Sequence, residues 1–237
     1  DDGSNECPEW SPDGSRVMYR HETRTSSELW WREVNGDTPA KRISPLGANA
    51  REGVIAPTGK SLVYRSVDPR TGDDLWITAL GSADSAPRPL VVTQYSERLP
   101  RISPDGRWLA FESNESGTFE VYVRALRGDT RTYRLSEHGG QQPLWAADGK
   151  RVFYGSGGHL ESVRFAMSPG FSVTERRIVI ADGVILINGR HADYDVARDG
   201  THFLLGAPKG ADSLIVVPGW RAELRELTAR KQGPTTP

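Results

Sequence analysis

The sequence predicts an all-β fold, a β-propeller of four-stranded antiparallel blades. Three observations carry that expectation. One hairpin turn recurs five times, with glycines at 14, 59, 106, 149 and 200, at intervals of 45, 47, 43 and 51 residues. A period of about 40–50 residues with four short strands per unit is the pattern of a propeller. Each interval also contains two further short alternating segments bounded by Gly, Pro, Asn or Asp. A β-sandwich has many short strands too, but it does not repeat one turn at a fixed period.

The clearest copy is Leu99 to Phe111, centred on Ser103-Pro104-Asp105-Gly106. Pro104 presets φ for the first central position of a type I turn, Asp105 suits the second, and Gly106 takes the left-handed position that closes the hairpin. The blades are expected over residues 8–44, 52–93, 99–136, 142–180 and 193–217. In the first, a strand before Ser11-Pro12-Asp13-Gly14 and one after it are followed by a polar loop at 21–27. A strand over 28–34 carries Leu29, Trp30 and Trp31, and an outer strand follows Asn35-Gly36-Asp37. In the second, Thr58 replaces the turn Asp, and strands over 74–80 and 88–93 follow. The third adds strands over 119–126 and 132–136. The fourth, led by Trp145 and Asp148, adds 159–165 and 175–180. The fifth has three strands, over 194–197, 202–205 and 213–217, and a short amphipathic helix over 220–230 carries Leu224 and Leu227. Residues 231–237 read as a disordered tail. Residues 1–230 are thus expected to form a single propeller domain. Because the fifth blade lacks an outer strand and residues 1–7 read as a polar loop, the complete ring is expected to have six blades.

The chain has 237 residues, with 30 Lys and Arg against 31 Asp and Glu. The sequence pI is about 6.6 and the mean hydropathy −0.54. The missing basic excess argues against nucleic acid and membrane surfaces as partners. Cys7 is the sole cysteine, so no intrachain disulfide forms; a reduced compartment and a bridge-free periplasmic domain both fit.

Catalytic patterns are missing. No Gly-x-Ser-x-Gly elbow occurs, and Gly155-Ser156-Gly157-Gly158 has the wrong spacing and reads as a turn. The histidines at 21, 138, 159, 191 and 202 have no metal-ligand spacing. His202 falls in an expected strand. Asp68, Asp73 and Asp74 lack the alternation of a calcium loop and read as exposed turn formers. The repeated turn aspartates, Asp13, Asp105, Asp148 and Asp199, read as structural, and Trp10 and Trp145 as packing between blades. No cofactor and no metal is expected.

The copies at 10–19, 55–64, 102–111, 145–154 and 196–205 resemble the WD40-like repeats of the TolB propeller family. The end of the chain, from Asp193-Tyr194-Asp195-Val196 through the Trp220-led helix, is similar to the C-terminal propeller of bacterial serine/threonine protein kinases. That resemblance implies a non-catalytic module for protein or ligand binding, in the extracytoplasmic or periplasmic part of a bacterial signalling protein. A gating propeller of a prolyl-oligopeptidase-like peptidase and a cell-envelope scaffold are the alternatives. No kinase motif stands in the chain, and the domain is expected to be monomeric.

In such blades the Pro-Asp-Gly turns share one face. The longer loops, at 21–27, 45–51, 67–73, 94–98, 137–142 and 181–193, share the other. Binding is built on varied loops at a channel mouth. Arg51, Arg98, Gln142, His191 and Asp193 come just before first strands or between blades and are the candidate contacts for a protein or small ligand.

Overall fold

The computed structural model describes residues 3–36, 38–81, 86–181, 192–205 and 215–217. Among them are nineteen strands and five antiparallel sheets. The first sheet contains β1 (Ser4–Trp10), β2 (Arg16–Glu22), β3 (Ser27–Glu33) and β4 (Lys41–Arg42). The second contains β5 (Ala50–Ile55), β6 (Ser61–Asp68), β7 (Gly72–Ala79) and β8 (Arg88–Val91). The third contains β9 (Glu97–Ile102), β10 (Trp108–Ser113), β11 (Glu120–Ala125) and β12 (Thr132–Arg134). β13 (Gln141–Trp145), β14 (Val152–Ser156), β15 (His159–Ala166) and β16 (Ser172–Ile180) make the fourth. The fifth contains β17 (Tyr194–Val196), β18 (Phe203–Leu205) and β19 (Ile215–Val217). Each sheet runs up and down in chain order, as the blades of a propeller do. The chain groups into two compact units, residues 1–139 with three sheets and 140–237 with two. The expected helix over 220–230, the tail and His191 lie outside the described residues.

The recurring turn is built as its residues dictate. Gly14, Gly59, Gly106, Gly149 and Gly200 have φ between 64° and 70°. Each donates its N–H to the carbonyl three residues earlier at 2.7–2.9 Å. The Asp holds the next part of the loop. Asp13 accepts the Ser15 N–H, Asp105 that of Arg107, Asp148 that of Lys150 and Asp199 that of Thr201, all near 3 Å. Thr58 does the same job more weakly, at 3.4 Å. Hydrogen bonds from Ser11 and Ser15 hold the Asp13 carboxyl down at about 2.

The core lies between sheets. Met18, Leu29, Ala50, Ile55, Leu62 and Tyr64 join the first two. Val63, Leu75, Val91, Ile102, Leu109, Phe111 and Tyr122 join the second and third. Within the second unit, Phe153 meets Phe203 edge to face at 5.3 Å, alongside Leu160, Tyr194 and Leu205.

Several expectations need correction. Residues 4–7 are not a loop: they extend β1, where Asn5 pairs with His21 and Glu6 with Arg20. Polar side chains that look loop-like in sequence satisfy one another across the ladder. For the same reason the loops expected at 21–27 and 67–73 shrink, because Glu22 pairs with Ser27 and Asp68 with Gly72. Trp10 is 62% exposed rather than packed between blades, and Trp145 meets Phe165 of its own sheet edge to face at 6.1 Å. His202 precedes β18 and contacts Asp199 at 2.9 Å. Gly157 and Gly158 both take positive φ in a two-residue turn between β14 and β15.

The inner strand of each full sheet carries a bulge. In three of them a non-glycine residue adopts positive φ: Cys7 at 62°, Leu99 at 51° and Gln142 at 59°. Each precedes a proline, which disfavours the right-handed helical conformation at that position. The proline, lacking an N–H, is tolerated because the inner strand is an edge.

Space is open around Gly106, whose nearest neighbour to an added Cβ would be Pro57 at 3.9 Å. The cost of a side chain there is therefore conformational. Gly106→Val is expected to destabilise the fold by about 1–3 kcal/mol. Gly170→Ala, with ordinary φ and open space, should cost less than about 0.5 kcal/mol. Urea midpoints of the two variants check this; equal midpoints would refute it.

Candidate functional site

Opposite the Pro-Asp-Gly turns of the first unit, strand ends and loops form a polar surface. A cavity of about 410 Å³ opens there, lined by residues of the Glu22–Glu28 segment together with Gly47, Asn49 and Arg51. Hydroxyls line one wall: Thr23 and Ser26 bond each other at 2.9 Å, and Ser27 donates to the Ala50 carbonyl at 2.8 Å. Arg24 is exposed. Asn49, at φ 45°, donates to the Val67 carbonyl.

Beneath this surface runs a chain of ion pairs. Arg20, almost fully buried, bonds Glu6 across the ladder and Glu22 at 3.0 Å. Glu22 in turn takes Arg51 at 2.5 Å. In the second sheet, buried Glu52 faces Arg65 at 3.0 Å and accepts the Leu99 N–H at 2.6 Å, so one carboxylate fastens the bulge of the next sheet. Arg65 also reaches Asp73 at 2.7 Å. In the third sheet, Arg98 bonds fully buried Glu112 at 2.6 Å and lies 3.6 Å above the Phe119 ring. Each of the three sheets therefore has an acid–base pair directly across its two innermost strands: Glu6 with Arg20, Glu52 with Arg65, Arg98 with Glu112.

Cys7 lies within reach of Glu6, Glu52, Arg20 and Arg65. Burial pushes its thiol up to about 11, which leaves it protonated and poorly nucleophilic at neutral pH.

In the second unit, Gln142 is buried and clasps Asp193. Its side-chain amide donates to the Asp193 carboxylate at 3.1 Å and accepts the Asp193 N–H at 3.2 Å, and the Tyr194 hydroxyl donates to the Gln142 carbonyl at 2.7 Å. A second cluster joins Tyr154, Glu161, Arg176 and His159: the Tyr154 hydroxyl donates to Glu161 at 2.7 Å and receives a bond from Arg176, while His159 contacts Glu161 at 3.2 Å. Burial raises the Tyr154 pKa.

The candidate contacts thus differ in position. Arg51, Arg98 and Gln142 stand inside bulged inner strands rather than in the loops before them. Arg51 lines the cavity, Arg98 is held by Glu112 and Phe119, and Gln142 and Asp193 come together as a clasp. Sequence reasoning missed Glu22, Glu52, Glu112 and Asp74. Glu22 and Asp74 were legible as charges bordering a loop, but only strand register shows which face they take. Asp74, expected exposed, is 1% exposed at the start of β7. Asp68 does form a turn, accepting the Arg70 N–H. Among the described residues, no group of three or more His, Cys, Asp or Glu could hold a metal ion.

No protein-family model matches the chain. It is 29% identical over 187 residues to the uncharacterized peptidase YuxL of Bacillus subtilis, an alignment spanning 77% of this chain and 25% of that protein. Among solved structures it is similar to TolB from Acinetobacter baumannii, with a TM-score of 0.69 and 16% identity over 92% of this chain and 52% of that one. It is also similar to a TolB-like protein of Agrobacterium tumefaciens, with a TM-score of 0.66 and 17% identity over 90% of this chain and 76% of the other. The chain spans about a quarter of the length of the curated relative and about half of the A. baumannii TolB chain. The likenesses establish a TolB-like propeller fold.

The Arg51–Glu22 pair is about one-third exposed on both sides, so Arg51→Ala should change stability by less than about 1 kcal/mol. Gln142→Ala removes two hydrogen bonds from Asp193 and should cost about 1–3 kcal/mol. Denaturant midpoints check both; a larger loss for Arg51→Ala than for Gln142→Ala would overturn the assignment of one as surface and the other as clasp.

Proposed function

We propose that this chain is a non-catalytic binding module whose contact surface is the polar loop face around the Arg51 cavity. The observation that carries this reading is the cavity itself. It combines hydroxyls, an exposed arginine and a second arginine fixed by Glu22, a lining suited to a polar small ligand or a polar segment of a partner protein. The recurring turns of the first unit, by contrast, repeat one backbone geometry. The likeness to TolB supports an extracytoplasmic location, and the resemblance of the chain's end to kinase-attached propellers suggests the parent is a bacterial signalling protein.

A second reading, the gating propeller of a serine peptidase, is favoured by the 29% identity to the peptidase-named YuxL. In that reading the same face would receive a peptide, and the hydrolytic residues would stand in another part of the protein. Both readings make the loop face the contact surface. They differ in whether a peptide bound there is also cut.

The immobilised chain, incubated with envelope extract, is expected to retain the same species as a Lys60→Glu variant on the turn face, and to lose them on Arg51→Glu. Retention by Arg51→Glu would overturn the assignment of this cavity. The chain alone is expected to turn over neither a peptidyl ester nor ATP. Turnover that survives repurification and disappears on a single substitution within the chain would overturn the non-catalytic reading.

A further inference from the structure

The polar ends of the second and third sheets contain two buried acids that the ion-pair chain does not use. Asp74, at the start of β7, and Glu97, at the start of β9, are each 1% exposed. Thr93 connects them: its N–H bonds the Asp74 carboxyl, and its hydroxyl donates to Glu97 Oε1 at 2.6 Å. Asp74 Oδ2 also receives the Thr71 hydroxyl at 2.5 Å, and Glu97 Oε1 the Ser113 hydroxyl at 3.4 Å. The remaining oxygens, Asp74 Oδ1 and Glu97 Oε2, are buried with no hydrogen-bond donor.

The charged groups nearby do not neutralise the pair. From β6, Arg65 is engaged by Glu52 and Asp73. From β7, Asp73 adds negative charge and also accepts the Ser96 hydroxyl at 2.8 Å. From β9, Arg98 is bonded to Glu112 of β10. The β6–β7 turn brings Asp68 with its exposed partner Arg70, and the segment after β10 brings Glu115, a further acid facing Glu97. The third sheet shows what a satisfied version looks like. There Glu120, also at the start of a third strand, bonds the Ser136 hydroxyl with one oxygen and the Gly139 N–H with the other at 3.1 Å. Where Glu120 has a donor on each oxygen, Asp74 has one oxygen with none and a second carboxyl for company.

Two adjacent buried carboxylates without a cation are strongly disfavoured in the doubly charged state. We propose that Asp74 and Glu97 retain one proton between them at neutral pH, and that this proton locks the connection between the second and third sheets. The lock acts on Thr93. Its hydroxyl oxygen also accepts the Tyr95 N–H at 2.9 Å, and Tyr95 rims an open polar cavity of about 440 Å³ with Glu115, Ser116, Tyr122, Thr132 and Arg134. Proton loss places two like charges on either side of Thr93 and loosens the segment that carries Tyr95.

Desolvation, with Asp74 adding to it, pushes Glu97 up to about 7; burial likewise raises Asp74. The sign follows from linkage. Between the unfolded carboxyl value near 4.5 and the folded value near 7, the native state binds one more proton than the unfolded state. Stability is therefore greatest below that window and falls as pH rises through it, the unfolding constant growing about tenfold per pH unit before levelling off above. Glu97→Gln supplies a permanently neutral group of the same shape. It is expected to flatten this part of the profile, and hydrogen-exchange protection of residues 92–97, which falls in the wild-type protein as pH rises from about 4.5 to about 7, should then become pH-independent. An infrared band of a protonated buried carboxyl should be present in the wild-type protein below that pH and absent from the variant, a readout that does not depend on the variant's stability. Identical pH profiles for the two proteins, or no such band, would overturn the proposal. So would a rise in the wild-type midpoint on adding calcium chloride in the alkaline range that Glu97→Gln lacks, since the pair would then be a metal site.

Discussion

A blade of this kind has two apolar faces and cannot bury either alone. That constraint organises the structure. The clusters around Met18 and Leu62, around Val63 and Phe111, and around Phe153 and Phe203 each draw on two successive sheets. Stacking removes apolar surface from water, and at about 25 cal/mol per Å² that burial is the principal favourable contribution. It also dictates where polarity is allowed. Within a stacked sheet the middle of the inner strands is closed to solvent, and in the first unit the more deeply buried ion pairs gather at the strand ends opposite the Pro-Asp-Gly turns. There they must pair or be desolvated at a loss.

The repeat was legible because it depends on local chemistry. Pro, Asp and Gly at fixed offsets specify a turn irrespective of surroundings, and all five turns take the same backbone form. Thr58 shows the tolerance: a hydroxyl replaces the carboxylate and the turn still closes. The bulges were not legible. Cys7, Leu99 and Gln142 have unrelated side chains, and what they share is the following proline and a place on an edge strand. Register, too, is a property of pairs. Glu6 and Arg20 look like separate loop charges until β1 and β2 are aligned.

The same distinction separates the candidate contacts. Arg51 and Arg98 occupy equivalent places in sequence, eight residues before the turn glycine. Arg51 reaches the neighbouring sheet's Glu22 and borders open space, whereas Arg98 is drawn inward by Glu112 and covered by the Phe119 ring. One arginine is presented and the other is spent on packing, and no local sequence rule tells them apart. Asp74 reverses the lesson. A residue in a run of acids at a loop looks solvated, but strand pairing turns its side chain beneath the loop.

The polarity of the inner ion pairs reverses once, in a way that bears on assembly of the chain. The first two sheets place the acid on the innermost strand and the base on the second; the third sheet places them the other way round. Repeats of near-identical shape can exchange strands while folding, and such swaps are a characteristic failure of repeat proteins. A hairpin joining β1 to β10 would set Glu6 against buried Glu112, and one joining β9 to β2 would set Arg98 against buried Arg20, in each case like charge on like. The reversed pair thus acts as an address for the third blade, legible only when the correct partner strand arrives. The first and second blades share one polarity and lack that safeguard against each other, so discrimination between them falls to their connecting segment and to the unequal side chains of their cores.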